Sequence, residues 1–249
     1  MTSEVVSEQA LSDQARLKEL ADSHKRIVFF GGAGVSTASG IPDFRSAKGV
    51  FNQDYPYDFP PEVMVSHSYF VEHSEDFFDF YRTRMIFPDA KPNACHLKLA
   101  ELEAEGKVSA VVTQNIDGLH QAAGSKNVLE LHGSVLRNYC MNCGEHYGLE
   151  IVTEAEGIPT CPKCGGTVRP DVVLYEEGLD GAIIEQTIEE ISSCDMLIVA
   201  GTSLVVYPAA SFVTYFRGDC LALVNKSETN LDSAATFLSH ESVADVMNW

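Results

Sequence analysis

The chain has 249 residues, 45% of them hydrophobic and 21% charged, which is the composition of one compact globular body with room for an inserted lobe. Disorder, fibrous repeats and two equal domains are excluded. Against 17 Lys plus Arg stand 36 Asp plus Glu, a net charge of −19, so direct nucleic-acid binding is not expected and a basic partner is easier to accommodate.

Taken in chain order, Ser7 to Asp22 carries Leu11, Ala15, Leu17 and Leu20 at roughly helical spacing and predicts an amphipathic opening helix. Met1 to Ala21 is polar and acidic, and no apolar run approaches the roughly 20 residues that span a bilayer, so a cytoplasmic protein without membrane contact is expected. Lys25 to Phe30 is an apolar run bounded by charges and glycines, which predicts a buried parallel strand. Phe44 to Ala90 is rich in aromatics and proline and predicts a loop leading to a helical lobe, with a helix over His67 to Met85. A second helix is expected over Pro92 to Glu105, with Pro92 in its first turn and Gly106 closing it. Strands are expected at Val108 to Thr113, Val128 to Leu131, Met196 to Ala200 and Leu221 to Val224, and a helix at Gly181 to Ser193. Strands alternating with helices imply an α/β fold, a parallel sheet covered on both faces.

The segment Leu136 to Asp171 is poor in apolar residues but carries two cysteine pairs. Cys140-x-x-Cys143 and Cys161-x-x-Cys164 are separated by seventeen residues, 144 to 160, a spacing that fits one closed four-thiolate zinc site. Such a site would be structural, holding together a lobe whose own core is too small. A redox dithiol or two disulfides are the competing readings. Cys95, Cys194 and Cys220 read as core packing.

Gly31-Gly32-Ala33-Gly34-Val35-Ser36 follows the first strand, where glycines bring backbone N–H groups close to a diphosphate. The usual dehydrogenase fingerprint needs a third glycine where Thr37 stands, so an ordinary nicotinamide dehydrogenase matches badly. Gly40-Ile41-Pro42-Asp43-Phe44-Arg45 continues with an aromatic, a cation and a carboxylate suited to a charged, stacking ligand. Gln114-Asn115-Ile116-Asp117 begins where a strand ends, as does His132, whose imidazole could serve as a base or as a hydrogen-bonded structural group. Most of the eight histidines are expected at the surface. Gly201-Thr202-Ser203 and Asn225-Lys226-Ser227 bring to five the strand ends offering small or polar residues to one rim, which suits a dinucleotide better than a small metabolite.

Together, Gly-Ala-Gly-x-Ser, Gly-Ile-Pro-Asp-Phe-Arg, Thr-Gln-Asn-Ile-Asp-Gly-Leu-His, Leu-His-Gly and the paired Cys-x-x-Cys resemble the sirtuins, NAD-dependent protein-lysine deacylases, from about Lys25 to Val243. The resemblance implies a Rossmann-like parallel sheet with a small lobe made of a zinc-ribbon module and a helical insertion. The whole chain, 1–249, would be one catalytic domain. Its large part would span about 7–43, 91–135 and 172–249, and its small lobe about 44–90 (helical) and 136–171 (zinc module).

The resemblance also assigns roles. Ala33, Gly34, Ser36, Thr37, Thr202, Ser203 and Asn225 would line the adenosine and diphosphate of NAD, with Gly201, Lys226 and Val243 beside them, and Phe44 and Arg45 would belong to the cofactor-binding loop. Gln114, Asn115, Ile116 and Asp117 would surround the nicotinamide and its ribose, with Asn115 and His132 catalytic. In the implied reaction the acyl oxygen attacks the ribose carbon as nicotinamide leaves. His132 then deprotonates a ribose hydroxyl that closes onto the acyl carbon, and water completes the transfer. The products would be nicotinamide, free lysine and O-acetyl-ADP-ribose. Cys140, Cys143, Cys161 and Cys164 would hold one structural zinc.

Three departures from the family pattern stand out. Gly31 takes the place of a usual Thr and would loosen the turn. Val172-Val173-Leu174-Tyr175-Glu176-Glu177 replaces the usual Val-Val-x-Phe-Gly-Glu in the segment that would pair with the substrate, where an extra carboxylate would suit basic, extended peptides. Tyr81 and Arg84, one helix turn apart, resemble the pair with which some members hold succinyl groups, although a solvated arginine is the plainer reading. Deacetylation is the expected main activity, with desuccinylation, protein mono-ADP-ribosylation and a non-enzymatic NAD sensor as alternatives. A monomer is favoured.

Overall fold

The computed structural model describes residues 6–43, 49 and 59–249. The opening helix α1 (Glu8–Ser23) starts at Ser7, whose hydroxyl accepts the Ala10 N–H at 3.0 Å, and leads into β1 (Ile27–Gly31). After the glycine turn come α2 (Pro61–Met64), α3 (His67–Glu72) and α4 (Ser74–Arg84), then α5 (Ala94–Ala104), β2 (Val108–Thr113), α6 (Leu119–Ala123) and β3 (Val128–Glu130). The cysteine-bearing lobe follows, with β4 (Gly133–Cys140), β5 (His146–Tyr147), α7 (Glu150–Thr153) and β6 (Val168–Val172). The chain closes with α8 (Gly181–Ser193), β7 (Met196–Ala200), β8 (Cys220–Val224), β9 (Phe237–Ser239) and α9 (Val243–Val246).

Six parallel strands form the main sheet in the order β3-β2-β1-β7-β8-β9. Alternate residues of each strand point to opposite faces, and both faces are buried. Phe29, Val111, Ile198 and Ala222 enter one core with α1, α5 and α9. Val28, Phe30, Val112, Leu197 and Leu223 enter the other, against Ile191 of α8. That two-sided burial explains why the strands read as unbroken apolar runs rather than alternating ones.

Register fixes where a ligand can sit. Gly31 is paired with Thr113 and Ala200, Thr113 with Glu130, and Ala200 with Val224, which puts the carboxyl ends of these strands along one edge. The chain leaves β1 toward β2 on one side and returns beside β1 as β7 on the other. In open sheets the crevice at such a reversal is the place for a ligand.

The small lobe is built on a second, antiparallel sheet in the order β5-β4-β6. Its core joins the helical insertion to the cysteine module, because Phe70, Phe77, Phe78 and Tyr81 pack in one cluster with Val135, Val152, Val172 and Leu174. The Arg82 Nε also donates to the Val152 carbonyl at 2.7 Å.

Three sequence expectations need correction. The helix expected over His67 to Met85 is two helices, broken at His73 (φ −133°, ψ 48°). The break lets Phe70 and Phe77 meet edge to face at 5.0 Å, and Ser74 Oγ donates to the Phe70 carbonyl at 2.6 Å across it. Pro92 lies before the first turn of α5, because Asn93 is the N-cap and its side chain accepts the Cys95 N–H at 3.0 Å. β9 has three residues, too few for any periodicity to show, and makes a sixth strand where five were expected.

Candidate functional site

At the strand ends the main sheet and the small lobe enclose a cleft of about 1280 Å³. Its floor is made by two glycine turns in backbone contact. A Cβ added at Gly34 would lie 2.7 Å from Gly201 Cα, and one at Gly201 would lie 2.5 Å from the Val35 nitrogen. The Gly34 N–H donates to the Gly201 carbonyl at 2.8 Å, so only glycine fits at either point. Ala33, Ser36, Thr37, Thr202, Ser203, Asn225, Lys226 and Val243 line this part of the cleft with them.

Gly31 belongs to β1 rather than to the turn, paired on both sides, and its carbonyl accepts the Gln114 N–H at 3.0 Å. The space a larger side chain would take is filled by Phe29, whose Cε1 would lie 2.6 Å from a Cβ there. The expected loosening is therefore absent.

Opposite the glycines, Gln114, Asn115, Ile116 and Asp117 form the second wall. Ser36 Oγ donates to Asp117 Oδ2 at 2.6 Å and accepts from Asn115 Nδ2 at 3.1 Å, while Gln114 Nε2 donates to Thr202 Oγ1 at 3.1 Å. Asp117 Oδ1 accepts the Leu119 N–H at 2.9 Å, which ties the wall to the start of α6. Ser36 and Asn115 are buried, so these bonds are made away from water and fix the wall rigidly.

His132 stands between this wall and the small lobe. Its Nδ1 lies 2.9 Å from the Gln114 carbonyl, which can only accept, so the proton is on Nδ1 and the Nε2 lone pair is free. Burial lowers its pKa, and the bond to Gln114 offsets only part of that shift, so the ring is neutral at pH 7. The His132 carbonyl accepts the Val173 N–H at 3.0 Å. This close approach needs Gly133, at φ +74°, where a Cβ would strike the Asp171 carbonyl oxygen.

Val172, Val173, Leu174 and Tyr175 line the far side of the cleft. The Tyr175 N–H donates to the Val65 carbonyl at 3.1 Å, and the His67 N–H to the Tyr175 carbonyl at 3.0 Å, so this segment is stitched to the helical insertion. The two carboxylates after it are engaged inside the molecule. Glu176, at φ +75°, accepts from Ser68 N and Oγ at 2.9 and 2.7 Å. Glu177 accepts two bonds from Arg169 at 2.7 and 3.0 Å and one from Leu174 N at 2.9 Å. Burial pushes the Glu177 pKa up, but these donors outweigh it and hold the carboxyl at about 2. The expected role of an extra carboxylate in attracting basic peptides therefore loses its footing at Glu176.

Tyr81 and Arg84 also line the cleft. Tyr81 stacks on Phe77 at 5.6 Å and is 1% exposed, and its hydroxyl has no protein partner. Phe44 and Arg45 lie outside the described residues.

The cysteine cluster lies in the small lobe, away from this cleft. All four sulfurs lie within 4.8 Å of one another, with Cys140–Cys164 at 3.4 Å and Cys143–Cys161 at 3.7 Å. A zinc–sulfur bond of about 2.3 Å gives a tetrahedral edge of about 3.8 Å, so the quartet fits one zinc ion with no position left for water. Gly144 N donates to the Cys140 carbonyl at 3.0 Å and Gly165 N to the Cys161 carbonyl at 2.9 Å, two matching turns that present the thiolates.

Sequence reasoning missed three residues behind the cleft. His96 and His120 are buried, against the expectation of surface histidines, and Asn93 joins them to the glycine turn. Only the spacing of Asn93 and His96, N-cap and N3 of a helix, carried a signal in advance.

Residues 32–208 match the model of the Sir2 family. An NAD-dependent protein deacetylase of Clostridium acetobutylicum is 58% identical over 232 residues, covering 93% of this chain and 95% of the relative. Two solved structures superpose closely. A Sir2 protein with deacetylated p53 peptide and 3′-O-acetyl ADP ribose gives a TM-score of 0.84 at 37% identity, covering 94% of this chain and 95% of the other. A Sir2 protein with p53 peptide and NAD+ gives 0.81 at 38%, covering 93% and 94%.

Proposed function

Because the chain belongs to the Sir2 family, we propose that it removes acetyl groups from protein lysines by transferring them to ADP-ribose from NAD, releasing nicotinamide. The observation that carries this reading is the placement of His132, with its free Nε2 between the Gln114–Asp117 wall and the Val172–Tyr175 segment. The large part (about 7–43, 91–135 and 172–249) binds the dinucleotide, which meets the acyl-lysine in the cleft between it and the small lobe (about 44–90 and 136–171).

NAD supplies the ribose carbon that accepts the acyl oxygen and, as nicotinamide departs, the hydroxyl that becomes the nucleophile. The residues do the rest. Ala33, Gly34, Ser36, Thr37, Gly201, Thr202, Ser203, Asn225, Lys226 and Val243 hold the adenosine and diphosphate. Gln114, Ile116 and Asp117 hold the nicotinamide end. Asn115, held by Ser36, orients the ribose, and His132 Nε2 takes the proton of the hydroxyl that attacks the acyl carbon. Excluding water here keeps the activated ribose from premature hydrolysis.

The acyl-lysine enters past Val172, Val173, Leu174 and Tyr175, and the peptide lies extended along this segment. Tyr175 and Tyr207, 40% and 71% exposed, flank its path. Preference for basic peptides rests on the net charge of −19 rather than on Glu176. The four cysteines hold one structural zinc. The unpartnered Tyr81 hydroxyl, with Arg84 one turn on, favours a second reading in which a succinyl carboxylate is also accepted. A cytoplasmic location belongs to the same proposal, with a monomer favoured. Among the described residues no helix is long and apolar enough to cross a membrane.

Release of nicotinamide from NAD in the presence of an acetyl-lysine peptide tests the proposal. Release that depends on the peptide and is lost in His132→Ala, with fold and metal content retained, is the expected outcome. Near-normal turnover in that variant would remove His132 as the base.

A further inference from the structure

Behind the Gln114–Asp117 wall, α5 and α6 bring two imidazoles together with ring centroids 4.7 Å apart. His96 is 0% and His120 1% exposed. The Asn93 N–H donates to His96 Nδ1 at 3.2 Å, so a neutral ring carries its proton on Nε2, and that N–H has no protein partner. Neither nitrogen of His120 has one. Three buried polar nitrogens without protein partners cost about 1–3 kcal/mol each unless they share a water, and an apolar side chain at either position would carry no such cost. Polar groups held in a core at that cost need a reason beyond packing.

The connections supply one. Asn93 Nδ2 donates to the Val35 carbonyl at 2.8 Å and to Ser39 Oγ at 2.9 Å, both on the turn that follows the glycines. His120 lies on α6, whose first turn is tied to Asp117 through Leu119. The Phe29 ring, which fills the space beside Gly31, stands 6.0 Å from the His120 ring. We infer that Asn93, His96 and His120 form a polar spine that sets the glycine turn against the Gln114–Asp117 wall, making all three positioning residues for NAD. None of them touches the cleft, so they act through Val35, Ser39 and Asp117. The inference rests on the proposed NAD reading and names what holds the two walls of that site in register.

The test uses the full chain and His96→Phe, His120→Phe and His96→Gln, the last of which can still accept the Asn93 N–H as a capping-box residue does and still donate from its amide. Affinity for ADP-ribose is measured by calorimetry, and KM for NAD and for acetyl peptide by steady-state kinetics. Both phenylalanine variants should weaken ADP-ribose binding and raise the NAD KM about tenfold, with the peptide KM unchanged and thermal stability kept or raised. His96→Gln should recover most of the loss. If a phenylalanine variant does not fold, Ser39→Ala, which removes only the hydroxyl that Asn93 reaches, should still weaken ADP-ribose binding at an unchanged melting temperature. Phenylalanine variants that fold and bind ADP-ribose within about twofold of the parent would overturn the spine, as would unaltered binding in Ser39→Ala where they do not fold. Failure of the parent itself to bind ADP-ribose would instead overturn the NAD reading, so the two failures are distinguishable.

Discussion

At the scale of single residues, the proposed chemistry turns on which nitrogen of His132 is free. Its Nδ1 proton is committed to the Gln114 carbonyl, and burial lowers the ring's pKa below the ordinary imidazole value of about 6.5. A base must be unprotonated to work, so the rate should hold steady as pH falls through 6.5 and decline only at lower pH. A pH profile of kcat/KM checks this, and a decline centred at or above 6.5 would contradict the buried, neutral ring. Gly31 gives a second residue-scale test. Gly31→Thr should cost about 1–3 kcal/mol, because the new side chain is forced against Phe29, and Phe29→Leu in the same chain should recover part of it. Denaturant unfolding of the two variants measures both, and a fully stable single variant would show that Phe29 moves aside freely.

At the scale of elements, the helical insertion and the cysteine module share one core, so the metal that organises one supports the other. Cys161→Ser should lose zinc and lower the melting temperature by about 10 °C, measured by metal analysis beside a thermal melt. An unchanged melting temperature would refute the structural role. The α5–α6 contact carries a prediction about pH. Burial lowers the pKa of His96 to about 4 and of His120 to about 3. The unfolded chain therefore takes up protons below about 6.5 that the folded chain refuses, and the stability tied to these neutral rings is present above that pH and lost below it. Acid also relieves repulsion among the many carboxylates, so the informative quantity is a difference. The melting temperature of His120→Phe relative to the parent should rise as pH drops from 7 to 5, and a difference independent of pH would contradict the assignment.

Sequence and structure agree closely at this same scale where burial is two-sided. The strands around β1 read correctly because unbroken apolar runs bounded by glycine have few other solutions. The cleft residues were legible because they follow those strands directly, and the register then aligns them on one edge. What did not show was tertiary. Nothing local marks His73 as a break, since the aromatic face of α3 continues into α4. His96 and His120 look like surface histidines until two helices bring them together. The inward turn of Glu176 toward Ser68 depends on a partner 108 positions away.

For the whole molecule, the sheet supplies one wall and floor of the cleft and the small lobe the other, and their meeting point is His132. Arg137, on β4, bonds Glu130 of β3 at 2.6 Å and Asp171 of β6 at 2.9 Å, so a charged link joins the two parts near that point. The net charge of −19 suits basic protein segments, and affinity for an acetylated basic peptide should fall as salt is raised, which titration at two ionic strengths would reveal. The cleft's proposed role is to move an acyl group from lysine to ADP-ribose. Its most direct test is mass spectrometry of matched acetyl-, succinyl- and long-chain acyl-lysine peptides incubated with the protein, with and without NAD. Loss of the acetyl group only when NAD is present, with O-acetyl-ADP-ribose and nicotinamide as co-products, is the predicted result. ADP-ribose appearing on protein while every acyl group stays in place would contradict it.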